Sequence, residues 1–554
     1  MTNTYKIIVQ DRNYSSWIIN DVYTLKETSI SIDPIENKLF NNDIFNYISV
    51  TNNINIINSD IRNVNYLIPC VLILKNNKTY GKTNDKYMYK CIPDDKQLPI
   101  FLVPYEIKHV GFSKIFNNLY VIITFVNWNN KHPQGLITHT IGEIDNLHNF
   151  YEYKLYCKKL NISIKNFTKN ATNIIKQNNN DLIFKKYEKL EHRTNVNKWF
   201  IFTIDPYNTI DFDDAFSIIQ LDNGITQLSI YISNVSILLD TLKLWESFSN
   251  RISTIYLPNK KIPMIPTILS DNLCSLNTTA NKITFVMDLF IENNSIIKIT
   301  YSNCIIKVSK NYVYEESELL NNYYYKQLFK TTQILLNDNI FNSHDIVSYL
   351  MIFMNHKCAS EMIKHNNGIF RTTTRTNIPT NINKYGDLFG EYINCENVNT
   401  TTLYHEPLNV DAYIHITSPI RRLVDLLNMI QFQKNHNIIL SDNAYKFYNN
   451  WINKLDCINT TMRSIRKIQN ECSLLNMCVN IPETIDKIYF GYILEKINYR
   501  NNTYKFIIYL HEIKLYSKII ITDNLEIYSK HEFKLYLFND EETLNKKIRL
   551  QLIN

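Results

Sequence analysis

No Cys-x-x-C spacing occurs among Cys70, Cys91, Cys157, Cys274, Cys304, Cys358, Cys395, Cys457, Cys472 and Cys478. That absence argues against a zinc knuckle and against a secreted disulfide framework, and it points to a reducing compartment. No apolar run reaches the roughly 18 residues that a membrane-spanning helix needs. The opening MTNTYKIIVQDRNYSS has no cationic stretch followed by an apolar core. The expectation is an intracellular protein without a membrane partner, placed in the cytoplasm, with the nucleus or a viral factory as alternatives. Asparagine is abundant but runs through strands and helices instead of forming one tract, so no prion-like segment is read.

What is present supports several cores. The chain has 554 residues, 45% of them hydrophobic and 13% aromatic, which suggests roughly two to four domains. Fifty-nine basic residues against 52 acidic ones give a formal charge of +7. The sign suits a polyanionic partner.

The densest chemistry lies in Trp199 to Ser217, WFIFTIDPYNTIDFDDAFS. Trp199 to Ile204 has the composition of a buried strand, and Asp205-Pro206 ends it. Asp205, Asp211, Asp213 and Asp214 follow within ten residues. Carboxylates this close repel one another, so some must be protonated, solvated or neutralised by a cation. Hard oxygen donors without a nearby His or Cys favour Mg²⁺ or Mn²⁺ over zinc. A solvated acidic turn is the plain alternative. A calcium EF-hand is a poorer match still, because no Gly stands at the required loop position and no helix-loop-helix pattern surrounds the acids.

Elsewhere the chain divides by pattern. Short strands are expected at Thr4 to Val9, Ile44 to Val50 and Cys70 to Leu74, and a second β-rich block runs from Leu98 to Leu160, with Leu119 to Asn127 its clearest strand. Residues 161–193 read as a linker with one or two amphipathic helices. Asp222-Asn223-Gly224 predicts a hairpin that sets the acids at the lip of a sheet. Prolines 258, 263 and 266 impose an extended path before Leu269-Ser270-Asp271-Asn272. Ile346 to Ile363 has helical periodicity, and Asn355 on it is read as helix packing, with a polar anchor as the alternative. Tyr413-Ile414-His415-Ile416-Thr417-Ser418-Pro419-Ile420-Arg421-Arg422 then reads as a helix start with Arg421 in its first turn, an anion site. Arg422 salt-bridged to Asp425 is the structural alternative for one of the arginines. Strands return at Tyr489 to Leu494, Tyr504 to Leu510, Leu525 to Tyr528 and Phe533 to Phe538.

TIDPYNTIDFDDAFS resembles the first signature of the RNase II/RNase R exoribonuclease family, matching its four acids residue by residue. The segment from Tyr256 to Asn277 and the run from Tyr413 to Arg422 are similar to two further signatures. Val103-Pro104-Tyr105, Trp128, Pro133, Gly135 and Ile141 to Ile144 are similar to a cold-shock-like domain of the eukaryotic exosome-associated exoribonuclease. The resemblance implies an α+β fold: a central RNB catalytic domain flanked by small OB-type barrels, two cold-shock-like at the N-terminal side and one S1-like at the C-terminal side. The expected domains are 1–95, 96–165, 166–477 and 478–554. No endonuclease domain is expected before the barrels.

The implied activity is 3′-to-5′ hydrolysis of single-stranded RNA, or of RNA with a 3′ overhang, to nucleoside 5′-monophosphates, with Mg²⁺ or Mn²⁺ as cofactor. The implied metal ligands are Asp205, Asp211, Asp213 and Asp214, with Asp213 and Arg421 catalytic. Tyr256, Tyr413, His415, Thr417, Ser418, Arg421 and Arg422 are the implied RNA-binding residues, Tyr256 stacking on the terminal base. A monomeric catalytic unit is expected, with association with an RNA-decay complex open to it. Three positions depart from the family pattern: Tyr231 and Asn234 replace a His and an Asp, and Ser348-Tyr349 replaces an acidic contact. A binding protein that has lost turnover, or a structural subunit of a decay complex or virion, is the competing reading.

Overall fold

Short strands joined by Asn-rich turns open the chain. A computed structural model describes residues 3–48, 52–83, 85–107, 116–177, 186–335, 340–373, 390–397, 403–405, 408–498, 503–513, 515–540 and 546–553. It divides into two compact units, one of Met1–Asn161, Leu257–Asn259 and Lys467–Asn554, the other of Ile162–Tyr256 and Lys260–Arg466. The fold is mixed α+β.

In the first unit, β1 (Asn3–Val9), β2 (Trp17–Asp21), β3 (Ile44–Ile48) and β4 (Asn53–Asn58) form an antiparallel sheet in the order β2-β1-β3-β4. A closed barrel follows. It uses β5 (Ile68–Leu72), β7 (Lys86–Pro93), β8 (Phe101–Tyr105), β9 (Leu119–Asn127) and β10 (Gln134–Glu143), with β6 (Lys82–Thr83) added to β7. Closure is direct, since β5 pairs with both β9 and β7, which removes open edges. Residues 95 and 96, where the first two domains were expected to meet, lie between β7 and β8 of this barrel. Trp128 is core: its ring packs 4.7 Å from that of Phe40.

The second unit is built on a seven-stranded sheet of order β11-β18-β17-β14-β13-β12-β19. Its strands are β11 (Glu191–Arg193), β12 (Phe202–Asp205), β13 (Asp214–Gln220), β14 (Thr226–Ser233), β17 (Lys282–Glu292), β18 (Ser295–Ile306) and β19 (Lys310–Val313), while β15 (Ile255–Leu257) and β16 (Lys260–Ile262) lie outside it. Successive side chains on a strand face opposite sides. Phe285 and Met287 therefore pack with Ile346, Leu350, Met354 and Phe432 of the helices Ser343–Lys364 and Leu423–Asn435, whereas Val286 packs on the other side with Trp199, Tyr231 and Ile306. A sheet covered on both faces needs near-continuous apolar strands, and KITFVMDLFIE meets that demand. The expected hairpin is present: β13 and β14 flank Asp222–Gly224, with Gly224 at φ +78°. The helix Lys165–Gln177 fills part of the expected linker, of which residues 178–185 lie outside the described residues. β20 (Ile369–Thr373) and β21 (Gly390–Asn394) form a separate hairpin ladder.

At the C-terminal side, β22 (Ile488–Asn498), β23 (Tyr504–Leu510), β24 (Leu515–Ile521), β25 (Lys530–Asn539) and β26 (Lys546–Ile553) make an antiparallel sheet of order β24-β23-β22-β25-β26. The strand expected at Leu525 to Tyr528 is instead a turn, with Tyr528 at φ +69°. A β-rich composition there supplies the bend between β24 and β25, while the lysine-interrupted segments on either side pair as strands.

Candidate active site on the central sheet

Asp205 is the last residue of β12 and Asp214 the first of β13, so the acids sit where two paired strands of the sheet end. Their connection is pinned at several points. Phe212 N–H donates to Ser275 Oγ at 3.1 Å, Ser275 donates to the Ile210 carbonyl at 2.7 Å, and Leu276 N–H donates to the Phe212 carbonyl at 2.9 Å. The Leu-Cys-Ser-Leu segment thereby acts as a brace for the acidic loop. Parallel pairing with β19 sets Asp205 opposite Val313, and Tyr314 N–H donates to the Asp205 carbonyl at 3.1 Å.

The four carboxylates divide into two kinds. Asp213 accepts from Ile420 N–H at 3.0 Å and from Arg421 Nε at 3.1 Å. Asp211 meets the Lys261 ammonium at 3.0 Å and the Tyr256 hydroxyl at 3.5 Å. Asp205 and Asp214 each keep a buried Oδ2 that meets no hydrogen-bond partner among the described residues. Burial raises the pKa of both, and the negative neighbours add to it: Asp213 and Asp211 for Asp205, and Asp205 for Asp214. Asp213 is pushed up to about 7, with burial the first cause and Arg421 opposing it.

Orphaned carboxylate oxygens in a buried setting carry an unmet demand for positive charge. Two hard oxygens suit a small divalent cation that keeps its remaining positions for water and phosphate, as Mg²⁺ does. Among the described residues no group of three His, Cys, Asp or Glu side chains converges as a ready-made cage. The donor set thus fits Mg²⁺ or Mn²⁺ held by a carboxylate pair and does not fit an all-protein cage.

Arg421 stands beside this pair. Its Nε is held by Asp213 and its Nη2 donates to Ser418 Oγ at 3.0 Å, yet 42% of the side chain is exposed. The backbone of Arg421 is fixed as well, since its carbonyl accepts from Thr254 N–H and Ser253 Oγ, both at 2.9 Å. Arg422 points elsewhere and forms a two-pronged pair with Asp425, Nε to Oδ2 and Nη2 to Oδ1, each 2.9 Å. The expected helix start shifts. The helix begins at Leu423 with Arg422 as its cap residue, so Arg421 precedes it in a turn in which the Arg421 and Arg422 N–H groups donate to the Ser418 carbonyl. The Ser418 N–H is taken by Asp425 at 2.8 Å, so the helix N-terminus faces its own acid.

The remaining sequence candidates fall in two places. Tyr256, 41% exposed, is at the acids. Tyr413, His415 and Thr417 are buried. His415 Nδ1 lies 2.8 Å from the Tyr392 hydroxyl, and burial followed by Arg422 and Arg371 depresses its pKa well below the usual histidine value. Asn355 is a polar anchor, the alternative to packing: it donates to the Tyr413 hydroxyl at 3.0 Å and to Thr417 Oγ1 at 3.3 Å, and accepts from Ile416 N–H at 3.0 Å. This amide ties the Tyr-x-His-x-Thr run to the helix Ser343–Lys364.

Tyr231 and Asn234 have been absorbed into structure. The Tyr231 hydroxyl accepts from Arg193 at 3.2 Å, and Asn234 caps the helix Val235–Thr241 by accepting from Ile237 N–H. Ser348 is exposed and Tyr349 half-buried on their helix. Two site residues escaped the sequence reading. Lys261 is one. Tyr314 is the other; its hydroxyl pKa is raised by burial and by Asp214 and Asp205, and its ring stacks on His344 at 3.7 Å. Lys261 falls inside the Tyr256 to Asn277 stretch and Tyr314 just ahead of Glu315-Glu316, but neither is an acid or an arginine, so residue type did not single them out.

A family model for the RNB domain matches residues 193–328. DIS3-like exonuclease 2 of Schizosaccharomyces pombe is 25% identical over 257 residues, which are 44% of this chain and 27% of that protein. The matching stretches span 14 to 27% of the length of the first curated relatives. A solved structure of Mycoplasma genitalium RNase R in complex with ribose-methylated single-stranded RNA superposes with a TM-score of 0.68 at 14% identity, covering 99% of this chain and 100% of that one. Yeast Ssd1, described as a pseudonuclease, superposes with a TM-score of 0.55 at 14% identity over 96% of this chain and 80% of its own. At such identities these likenesses concern the fold.

Proposed function

Because the chain belongs to the RNB-domain exoribonuclease family, we propose that it hydrolyses single-stranded RNA from the 3′ end and releases nucleoside 5′-monophosphates with Mg²⁺ or Mn²⁺. The observation that carries this reading is the orphaned Asp205 and Asp214 pair lying beside a half-exposed arginine. Asp205 and Asp214 would hold the ion. The chemistry such an ion supplies when bound is a lowered water pKa and stabilised charge on the phosphate.

The chain's own groups do the rest. Arg421 binds a non-bridging phosphate oxygen, for which a planar guanidinium is suited. Asp213 orients Arg421 by taking its Nε, so a catalytic effect of Asp213 includes the placement of that guanidinium. Tyr256 offers an exposed ring on which a terminal base stacks, a contact that is indifferent to sequence. Tyr413, His415, Thr417 and Ser418 support the turn from which Arg421 projects, and Arg422 locks that turn through Asp425. The four-stranded sheet and the closed barrel at the N-terminal side read as cold-shock-like and the C-terminal sheet as S1-like, each adding RNA affinity. No helix among the described residues is long and apolar enough to cross a membrane.

A second reading, RNA binding without turnover, is favoured by the cationic partners already on Asp211 and Asp213 and by the fold shared with a pseudonuclease. A gel separates the two. Single-stranded RNA labelled at its 5′ end is incubated with the chain in Mg²⁺ and in EDTA. A ladder shortening only with metal is expected, and an intact but shifted band would replace hydrolysis by binding.

A further inference from the structure

Lys261 is a cation on Asp211 that the sequence reading did not single out. It follows Asn259-Lys260 on β16, and its ammonium lies 3.0 Å from Asp211 Oδ1 and 3.1 Å from Asp271 Oδ1. Its side chain is only 20% exposed, and Asp211 8%. Asp271, on the turn Ile268–Leu273, is itself oriented by the Ser270 hydroxyl, which donates to the same Oδ1 at 2.6 Å. The ammonium is therefore seated between two ordered carboxylates instead of sweeping through solvent, as an unpaired surface lysine would.

We propose that Lys261 is a resident cation of the acid cluster, holding Asp211 so that the cluster takes a single divalent ion, at Asp205 and Asp214. The inference rests on the metal reading given above and specifies its stoichiometry. Nearly buried carboxylates need compensation, and here Arg421 supplies it to Asp213 while Lys261 supplies it to Asp211. The two carboxylates left over carry the charge of one divalent cation. A second ion at Asp211 would have to displace an ammonium from two acids and sit within a few ångströms of it, where like charges repel strongly.

The test counts ions without asking for activity. The full chain is titrated with Mn²⁺, free Mn²⁺ being followed by electron paramagnetic resonance, and melting is recorded in parallel. Wild type should take up about one Mn²⁺ per chain. Lys261→Met removes the ammonium and exposes Asp211 to the added metal, so it should take up about two, and Mn²⁺ should raise its melting temperature more than that of wild type. Lys261→Arg, which keeps a cation, should remain at one. Wild type taking two ions, or a folded Lys261→Met binding one with unchanged affinity, would overturn the role of Lys261 while leaving the metal reading intact. Should Lys261→Met not fold, the wild-type count and that of Lys261→Arg still decide. No uptake by wild type or variant removes the metal reading itself, and Lys261 falls with it.

Discussion

The central sheet carries two clusters of buried charge that differ in one respect. At its β11 edge, Arg193 is 2% exposed and fully engaged: it donates to both Asp288 oxygens at 2.8 and 2.6 Å, to Glu191, to Ser229 and to Tyr231, and stacks 4.4 Å from the Trp199 ring centroid. At the ends of β12 and β13, Asp205 and Asp214 keep oxygens with no partner among the described residues. Both arrangements hold charge away from water. The first closes its own account and is a structural clamp, whereas the second is left open for something that arrives from outside.

The sharpest way to break this contrast is to exchange the expected outcomes. Arg193→Met strands Asp288 in the sheet and should cost about 3–5 kcal/mol of stability, read as a lower denaturant midpoint. Asp214→Asn removes a charge from a repelling pair, so the metal-free protein should melt no lower than wild type. RNA cleavage should nevertheless fall about 10²–10³-fold, or roughly 3–4 kcal/mol of transition-state stabilisation. If Asp214→Asn unfolded the protein while Arg193→Met left it unchanged, the division into clamp and reactive site would have to be reversed. Asp213→Asn should lower single-turnover cleavage far more than RNA affinity, because it loosens Arg421 and not the barrels. Equal cleavage by Asp213→Asn and wild type would remove Asp213 from the machinery.

A smaller effect sharpens the same line at Arg421. Arg421→Lys keeps the charge and loses the fork, so cleavage should slow by about 1–3 kcal/mol with melting little changed. A large fall in melting temperature with cleavage intact would make Arg421 part of the clamp class. The smallest effect concerns pH. His415 is buried neutral, with its folded-state pKa below the unfolded value of 6.5. The unfolded chain then binds the extra proton, so stability is fully present above pH 6.5 and is lost as pH falls below it. Between pH 6.5 and 5.5 the loss should be about 1 kcal/mol, and His415→Gln should show a correspondingly shallower decline in denaturant midpoint.

The acids and Arg421 were legible because each lies in a run dense in charged and phosphate-suited side chains, whereas the brace at Ser275 was not, because its partners Phe212 and Ile210 are distant in sequence. The clearest strand of the barrel, Leu119 to Asn127, was legible because a closed barrel demands an uninterrupted apolar stretch at its centre. Partner choice was not. Nothing in Asn259-Lys260-Lys261 tells which lysine turns inward, since that depends on where Asp211 and Asp271 meet in space. The start of the helix at Leu423 was misplaced by its proline: Pro419 does favour a turn, but Asp425 takes the Ser418 N–H and delays the helix by a few residues. In the C-terminal sheet, Lys518 interrupts β24 and Lys546, Lys547 and Arg549 interrupt β26, so no clean apolar alternation marked these strands.

The bond between Arg421 and Asp213 joins residues 208 positions apart. A chain emerging from the ribosome therefore presents all four aspartates long before the arginine that pairs with Asp213, and contacts of such separation close late because the loop entropy must be overcome first. Until then Asp213 lacks its guanidinium partner, and Lys261 is the cation within reach of the acidic loop. Nascent chain and messenger RNA share the same surroundings during synthesis, and the proposed hydrolytic centre, split across so much sequence, stays unassembled through most of that period.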